Sequence, residues 1–309
     1  MPVMAVLLLT ALAFQNDPAT FRTGVSLVHV DAEVLDATGA LVHNLQKEDF
    51  RILDEGKDQP IVSFSSDLEP LDLILLFDVS GSMRAVVAAV AEASRQGLAE
   101  LQKGDRVSIM VFNSRAWTIA PFSEDLEAVE RSIQQDVMSL PFRGGTLIQQ
   151  AVDDAALRFM KEKHTQRRRA VLIITDNIGV RTRREESVIR DFWEADAILS
   201  GLIVSNPTFE KIHTVSVVLG PQNLLMQAGM KGIAQKTGGD AIKSDDPGTA
   251  FRDSMRRIRS RYSMYYALPL AKPGSPRTIR VELSSDAAKK YPKSHIRART
   301  GYIVPKPNS

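Results

Sequence analysis

Residues 73–82 read LILLFDVSGS, and this stretch indicates both the fold and the position of a binding site. The run 73–77 is short and wholly apolar, as expected of a strand that is buried on both faces of a parallel sheet. Asp78, Ser80 and Ser82 follow directly, where an open α/β sheet places its ligand site, outside the carboxyl ends of the strands. One carboxylate with two hydroxyls at alternate positions suits a hard divalent cation, Mg²⁺ above all.

Repeated strand and helix patterns follow this segment and predict an α/β fold. Apolar runs at 107–112, 171–174 and 198–204 are typical of further buried strands. Amphipathic stretches, such as those at 185–194 and 230–237, predict helices between or after these strands. The pattern indicates a Rossmann-like, doubly wound and mostly parallel sheet that is covered on both faces.

Short strand patterns occur on both sides of this unit. Residues 24–66 contain alternating apolar and polar residues separated by turn signals, and 278–304 return to the same pattern. Neither flank has enough strands for a stable sheet pair, so we expect the α/β domain to be inserted in, or flanked by, a small β-sandwich. The predicted organisation is a signal peptide at 1–14, a β-rich segment at 22–68, the α/β domain at 70–265 and a second β-rich segment at 266–309. A strand-like run at 214–219 has no predicted place in it.

The composition excludes several classes of function. The net charge of +2 argues against a nucleic-acid-binding protein, which would carry a basic stripe. We expect the arginine clusters at 167–169 and 256–261 to be solvated, and His29, on the polar side of the first strand, to have a solvated or edge role. The chain has no cysteine, which removes thiol catalysis, thiolate metal sites and disulfides.

The first residues predict export. Residues 3–14 form an almost unbroken apolar stretch that ends near Ala11-Leu12-Ala13, a signature of signal-peptide cleavage. The stretch is shorter than the roughly 20 apolar residues that span a bilayer, and no other run reaches that length. We therefore expect a secreted, periplasmic or cell-envelope protein without a membrane span.

Two further segments can complete the metal site. Arg143-Gly144-Gly145-Thr146 precedes a predicted helix, and the glycines permit a tight loop that presents the Thr146 hydroxyl. A second apolar strand ends at Asp176, which would face the same crevice if this strand neighbours 73–77.

Together these segments resemble the metal-ion-dependent adhesion site of von Willebrand factor type A domains. The resemblance covers about residues 70–265, and it rests on DVSGS at 78–82, GT at 145–146 and TD at 175–176, in that order and spacing. A lone DxSxS would be a weak signal, because Asp and Ser are common in loops and Ser80 or Ser82 could simply cap a helix.

The resemblance implies roles for single residues. Ser80, Ser82 and Thr146 would bind Mg²⁺, Mn²⁺ or Ca²⁺ directly, whereas Asp78 and Asp176 would bind it directly or through water. One coordination position would stay open for an Asp or Glu carboxylate of a partner protein.

The flanks look like those of a bacterial family of secreted proteins built around such a domain. One position departs from the type A pattern, which usually has Asp-Gly after the fourth strand. Here Asn177 follows Asp176, and asparagine tolerates the left-handed backbone that glycine favours.

Two other classes of function remain open. A metal-dependent phosphoryl-transfer hydrolase would also place an Asp at a strand end, but it would carry a second carboxylate where Ser80 stands. No Gly-x-Ser-x-Gly elbow and no His-x-x-x-His pair supports another hydrolase. An envelope assembly factor with a purely structural metal is the third class. The sequence thus favours metal-dependent protein binding over an enzyme.

Overall fold

The computed structural model describes residues 26–66, 69–162, 167–179, 183–205, 226–227 and 229–306. The predicted signal peptide at 1–14 and the strand-like run at 214–219 lie outside these residues, as do the start of the 22–68 segment and the end of the chain. Along the described chain, the strands are β1 Leu27–Leu35, β2 Phe50–Asp54, β3 Lys57–Gln59, β4 Ile61–Ser66, β5 Leu71–Asp78, β6 Arg106–Phe112, β7 Ala116–Ser123, β8 Arg168–Thr175, β9 Ile178–Gly179, β10 Ile198–Val204, β11 Met226–Gln227, β12 Ala241–Ser244, β13 Tyr262–Ala267, β14 Pro276–Leu283, β15 His295–Ala298 and β16 Gly301–Ile303. The described α-helices are α1 Arg84–Leu98, α2 Leu126–Arg131, α3 Ile148–Met160, α4 Glu185–Ala195, α5 Met230–Thr237, α6 Pro247–Arg259 and α7 Ser285–Lys290, with short 3₁₀ turns at Lys47–Asp49 and Gly81–Met83 and a π-helical segment at Ser132–Val137.

A six-stranded sheet forms the α/β domain, in the order β12-β10-β8-β5-β6-β7. Its strands are parallel except the edge strand β7, which pairs antiparallel with β6. The chain moves outward from β5 through β6 to β7, and then from β8 through β10 to β12. The order therefore reverses between β5 and β8, and this switch point is where such sheets open a crevice for a ligand. The predicted mostly parallel α/β sheet is confirmed.

Helices cover both faces of this sheet. One apolar core joins odd-numbered β5 residues such as Leu73 and Leu75 to α1, α2 and α6, and the other joins Ile74 and Leu76 to α3, α4 and α5. The run 73–77 is fully buried because it meets helices on both sides, which explains its uninterrupted apolar sequence.

The α1–α6 contact is very close. A Cβ atom added to Gly97 of α1 would lie 2.3 Å from Cε1 of Phe251 in α6. Glycine at this position lets the two helices approach.

The β-rich flanks form two four-stranded antiparallel sheets, β15-β1-β13-β4 and β16-β14-β2-β3. Each sheet contains strands from both ends of the described chain, and the two share one apolar core with β1 residues such as Val30 and β2 residues such as Ile52. The expected antiparallel β structure around the α/β unit is therefore present. The boundary predicted after residue 265 is corrected, because it falls inside β13, which pairs with β1 over Leu27–Ala32.

The solvated or edge role expected for His29 is wrong, since β1 lies between β15 and β13, and the expectation of solvated arginine clusters is wrong for the buried members named below. Asp31 and Glu33 of β1 are 6% and 1% exposed, and the side chain of His29 is 11% exposed. The cluster residues Arg168, Arg169, Arg259 and Arg261 are also buried. The polar face of β1 packs on the α/β domain, and opposite charges from distant segments neutralise each other there, as Arg168 does with Asp31.

Candidate functional site

Asp78 ends strand β5 and lies fully buried at the switch point of the sheet. Its Oδ1 atom accepts a hydrogen bond from the main-chain N–H of Ser80 at 2.9 Å, and its Oδ2 atom accepts one from the Thr175 hydroxyl at 2.8 Å. Burial raises the pKa of the Asp78 carboxyl to about 6, against the lowering effect of these hydrogen bonds. The carboxylate is thus oriented by neutral donors.

The end of β8 contributes the second carboxylate. The Ser82 hydroxyl donates a hydrogen bond to Oδ2 of Asp176 at 2.8 Å, which joins the loops after β5 and β8. The main-chain N–H of Ile178 donates to Oδ1 of the same carboxylate at 3.1 Å. Asp78, Ser80, Ser82 and Asp176 therefore lie together, because β5 and β8 are neighbours in register.

Asn177 occupies the left-handed region, with φ of 59°. Its main-chain N–H donates to the Thr175 hydroxyl at 3.1 Å, so this turn supports the residue that holds Asp78. The prediction that asparagine would supply the backbone conformation of the usual glycine is confirmed.

The loop that carries Thr146 lies against both of the others. The N–H of Arg143 donates to the carbonyl of Val79 at 3.0 Å, next to Asp78. On the other side, a Cβ atom added to Gly179 would lie 2.5 Å from the Thr146 carbonyl oxygen, so β9 runs directly beside this loop. The structure therefore brings the Thr146 segment to the ends of β5 and β8, as its sequence position suggests, and Thr146 is half-buried there.

Two supporting residues received no role from the sequence. Thr175 donates to Asp78, and Asn113 fixes the Thr146 loop by accepting the N–H of Leu147 at its carbonyl (3.0 Å) and donating its side-chain amide to the Arg143 carbonyl (3.1 Å). The available signal for Asn113 was its position directly after strand β6, one residue beyond Phe112, which pairs with Asp78 in the sheet.

The donor set fits a hard divalent cation. It consists of two carboxylates and three hydroxyls, all of them oxygen ligands. The Ser80 hydroxyl is buried close enough to Asp78 to lower the pKa of that carboxyl, but it forms no hydrogen bond of good geometry with a described residue, which leaves it available as a ligand. In the part of the chain that the structure describes, no group of three or more His, Cys, Asp or Glu residues could hold a metal.

Comparison with known proteins identifies the domain. Residues 73–179 match the family model of the von Willebrand factor type A domain, about a third of the chain. The chain therefore carries a von Willebrand factor type A domain, and the resemblance seen in the sequence is confirmed. No curated protein matches the sequence.

Several solved structures are similar to this chain. One is an aerotolerance-related membrane protein from Bacteroides fragilis NCTC 9343, with 16% identity, a TM-score of 0.45, and coverage of 61% of this chain and 98% of that chain. Another is the conserved hypothetical protein BatB from Bacteroides thetaiotaomicron, with 19% identity, a TM-score of 0.46, and coverage of 61% of this chain and 97% of that chain. A third is proximal thread matrix protein 1 from the mussel byssus, with 14% identity, a TM-score of 0.49, and coverage of 67% of this chain and 51% of that chain.

Domains of this family typically mediate protein–protein interaction and adhesion, and they are generally not enzymes. Among the described helices, none combines the length and the apolar character needed to cross a bilayer.

Proposed function

We propose that this domain binds partner proteins through a divalent cation, Mg²⁺ first and Mn²⁺ or Ca²⁺ as alternatives. The cation would be held by the hydroxyls of Ser80, Ser82 and Thr146 and the carboxylates of Asp78 and Asp176. The observation that carries the proposal is the Ser80 hydroxyl, which is buried close to the Asp78 carboxylate but forms no hydrogen bond of good geometry with a described residue. A buried polar group without a partner costs about 1–3 kcal/mol, and a metal ligand bond would offset this cost.

The residues of the site suit binding better than catalysis. When bound, the cation would supply an electrophilic centre with an open position for an Asp or Glu carboxylate of the partner. Thr175 and the Ser80 N–H hold Asp78 in one orientation, and the other ligands that this chain offers, the three hydroxyls, are neutral. Ser80 also occupies the position where a phosphoryl-transfer hydrolase would need its second carboxylate.

A thermal-shift experiment with three single variants tests the metal site. We expect 10 mM Mg²⁺ or Mn²⁺ to raise the melting temperature of the wild type by several degrees, because a metal at 100 times its Kd adds about 2.7 kcal/mol. Ser80→Ala and Asp78→Asn should abolish this rise, whereas Asp286→Asn, at an exposed position in α7, should keep it. Absence of a shift in the wild type would count against an intact site.

Ser80→Ala also separates a ligand from a structural hydroxyl. Without metal this variant should be as stable as the wild type or more stable, because the substitution removes a buried hydroxyl that has no partner. If the metal-free variant loses more than about 1 kcal/mol, the hydroxyl supports the fold and the argument from its missing partner is wrong.

A capture experiment tests the role of the metal in binding. The full chain, immobilised, is exposed to a cell-envelope extract with Mg²⁺ or with EDTA, since we propose a secreted or envelope location. Proteins that are retained only with Mg²⁺, and lost in Asp78→Ala, support metal-dependent binding. An identical captured set in EDTA and in Asp78→Ala, combined with an intact thermal shift, would instead assign the metal a structural role.

A further inference from the structure

Three exposed arginines lie near the site: Arg84 at the start of α1, and Arg115 and Arg143 on loops. Arg84 comes two residues after Ser82, and the N–H of Arg143 is bonded to the Val79 carbonyl. We call these three side chains the basic rim.

The loops that carry Arg115 and Arg143 are bonded to each other through Asn113. Its N–H donates to the Arg115 carbonyl at 3.0 Å, and its side-chain amide donates to the Arg143 carbonyl at 3.1 Å. The rim and the candidate site therefore belong to one connected set of loops at the carboxyl end of the sheet.

Two of the three guanidinium groups stack on aromatic side chains. The guanidinium of Arg84 lies 5.0 Å from the ring centre of Phe142, and that of Arg115 lies 5.5 Å from the ring centre of Trp117. Such stacking holds the charge in place. Arg84 also donates Nη1 to the Met138 carbonyl at 3.4 Å, and its other N–H groups, like those of Arg115, can form hydrogen bonds to a ligand.

The charge of the basic rim is not neutralised by the protein. None of its arginines forms an ion pair with a described residue, and the loops at 79–84, 113–117 and 138–147 contain no Asp or Glu. A divalent cation would balance the charges of Asp78 and Asp176, so the three positive charges of the rim would remain.

The opposite side of the site is different in charge. In the described part of the loop after β9, Arg183 is paired with Asp153, and Arg184 is followed by Glu185 and Glu186. Among the described residues, positive charge without a paired or neighbouring carboxylate is therefore on the side of the basic rim.

We infer that the partner offers an acidic segment, in which the carboxylate that binds the metal is flanked by further Asp or Glu residues that contact the basic rim. This inference rests on the proposed function and names the chemistry of its partner. Complementary charge of this kind selects partners and speeds their association, and salt weakens it.

Two labelled synthetic peptides of equal length test the inference with the full chain. One carries a single central Glu in a Gly/Ser background, and the other has the same Glu flanked by two acidic residues on each side. Binding is measured by fluorescence anisotropy in 5 mM Mg²⁺ at 50 and 500 mM NaCl, and again in EDTA.

We expect the acidic peptide to bind about tenfold more tightly at 50 mM NaCl, since three exposed ion pairs each contribute a small factor, and to lose most of this advantage at 500 mM. The triple variant Arg84→Gln, Arg115→Gln, Arg143→Gln should bind both peptides equally and retain the Mg²⁺ dependence. A control variant with the same change of charge, Arg95→Gln, Arg131→Gln, Arg280→Gln, alters exposed arginines elsewhere and should behave as the wild type.

The inference is overturned if the wild type shows no preference for the acidic peptide, if it binds neither peptide, or if the preference survives in the rim variant. Loss of the preference together with intact Mg²⁺ dependence supports it. A preference that depends on the rim but persists in EDTA would support the acidic partner and refute the metal anchor, so the two proposals fail separately.

Discussion

Arg168 is 1% exposed and connects the β-rich part of the chain to the α/β domain. Its Nε atom donates to both carboxylate oxygens of Asp31, at 3.1 and 3.0 Å, and Asp31 also accepts a hydrogen bond from the Ser263 hydroxyl. The two terminal nitrogens donate to the carbonyls of Arg259 and Ile258 at the end of α6. Replacement of Arg168 by methionine keeps most of the volume and removes all of these donors.

We expect Arg168→Met to lower the free energy of unfolding by about 4 kcal/mol at pH 7. Removal of one member of a buried ion pair costs about 3–5 kcal/mol, because the other charge stays buried without compensation. In the double variant with Asp31→Asn, the loss should be smaller than the sum of the two single losses by at least about 2 kcal/mol.

The stability lost in Arg168→Met should also depend on pH. Burial by itself raises the pKa of Asp31, but the charges of Arg168 and then His29 outweigh burial and hold this pKa well below its usual range. The stabilisation from Asp31 is therefore present above its usual pKa, near 4, and is lost as the pH falls towards the folded value. The difference between the wild type and Arg168→Met should shrink below about pH 4.

Urea unfolding at pH 7, followed by circular dichroism and tryptophan fluorescence, measures these values. Arg256→Met is the matched control, because Arg256 pairs with Asp253 on the exposed side of α6, and it should change stability by less than about 0.5 kcal/mol. A loss below 1 kcal/mol for Arg168→Met, or simple additivity in the double variant, would refute the role of this buried ion pair.

Two further perturbations test the interior of the molecule. Although burial lowers the pKa of His29, Asp31 and other carboxylates raise it to about 10, so its stabilisation is present below its unfolded pKa and is lost as the pH rises towards 10. Relative to His29→Gln, the wild type should lose about 3 kcal/mol between pH 7 and 9.5 in urea unfolding, and parallel curves would contradict the ion-paired histidine. Gly97→Ala should cost about 1–3 kcal/mol, because the new methyl group would overlap the buried Phe251 ring. Gly232→Ala is the control for that measurement, because its new Cβ atom would lie 3.5 Å from the nearest atom, Oε2 of Glu185. An unchanged melting temperature in Gly97→Ala would show that α1 and α6 can move apart at little cost in stability.

Much of the α/β domain could be predicted from short segments of sequence. The run 73–77 predicts a strand with helices on both faces, and β5 has this environment. Asp78, Ser80 and Ser82 follow it directly, so their position at the carboxyl end of the sheet depends only on local chain geometry. Thr146 and Asp176 are brought to the same place by strand order, which the spacing of the motif allowed us to anticipate.

The structure of the β-rich part was harder to predict from the sequence. The alternation in β1 identified which residues share a face, but it could not show that the polar face, with Asp31 and Glu33, would be buried. Periodicity reports only that one face differs from the other. Whether a polar face meets water or opposite charges depends on residues that are distant in sequence, such as Arg168.

The sequence by itself determined the parallel strands, the oxygen ligands at their ends and the left-handed turn at Asn177. These features depend on the residues of one segment and on the geometry of the chain within it. Only the tertiary structure decided that β13 pairs with β1, that Asp31 is paired with Arg168, and that the Ser80 hydroxyl is buried without a partner. Pairing and desolvation arise between segments that meet only after folding, and no local pattern of residues records them.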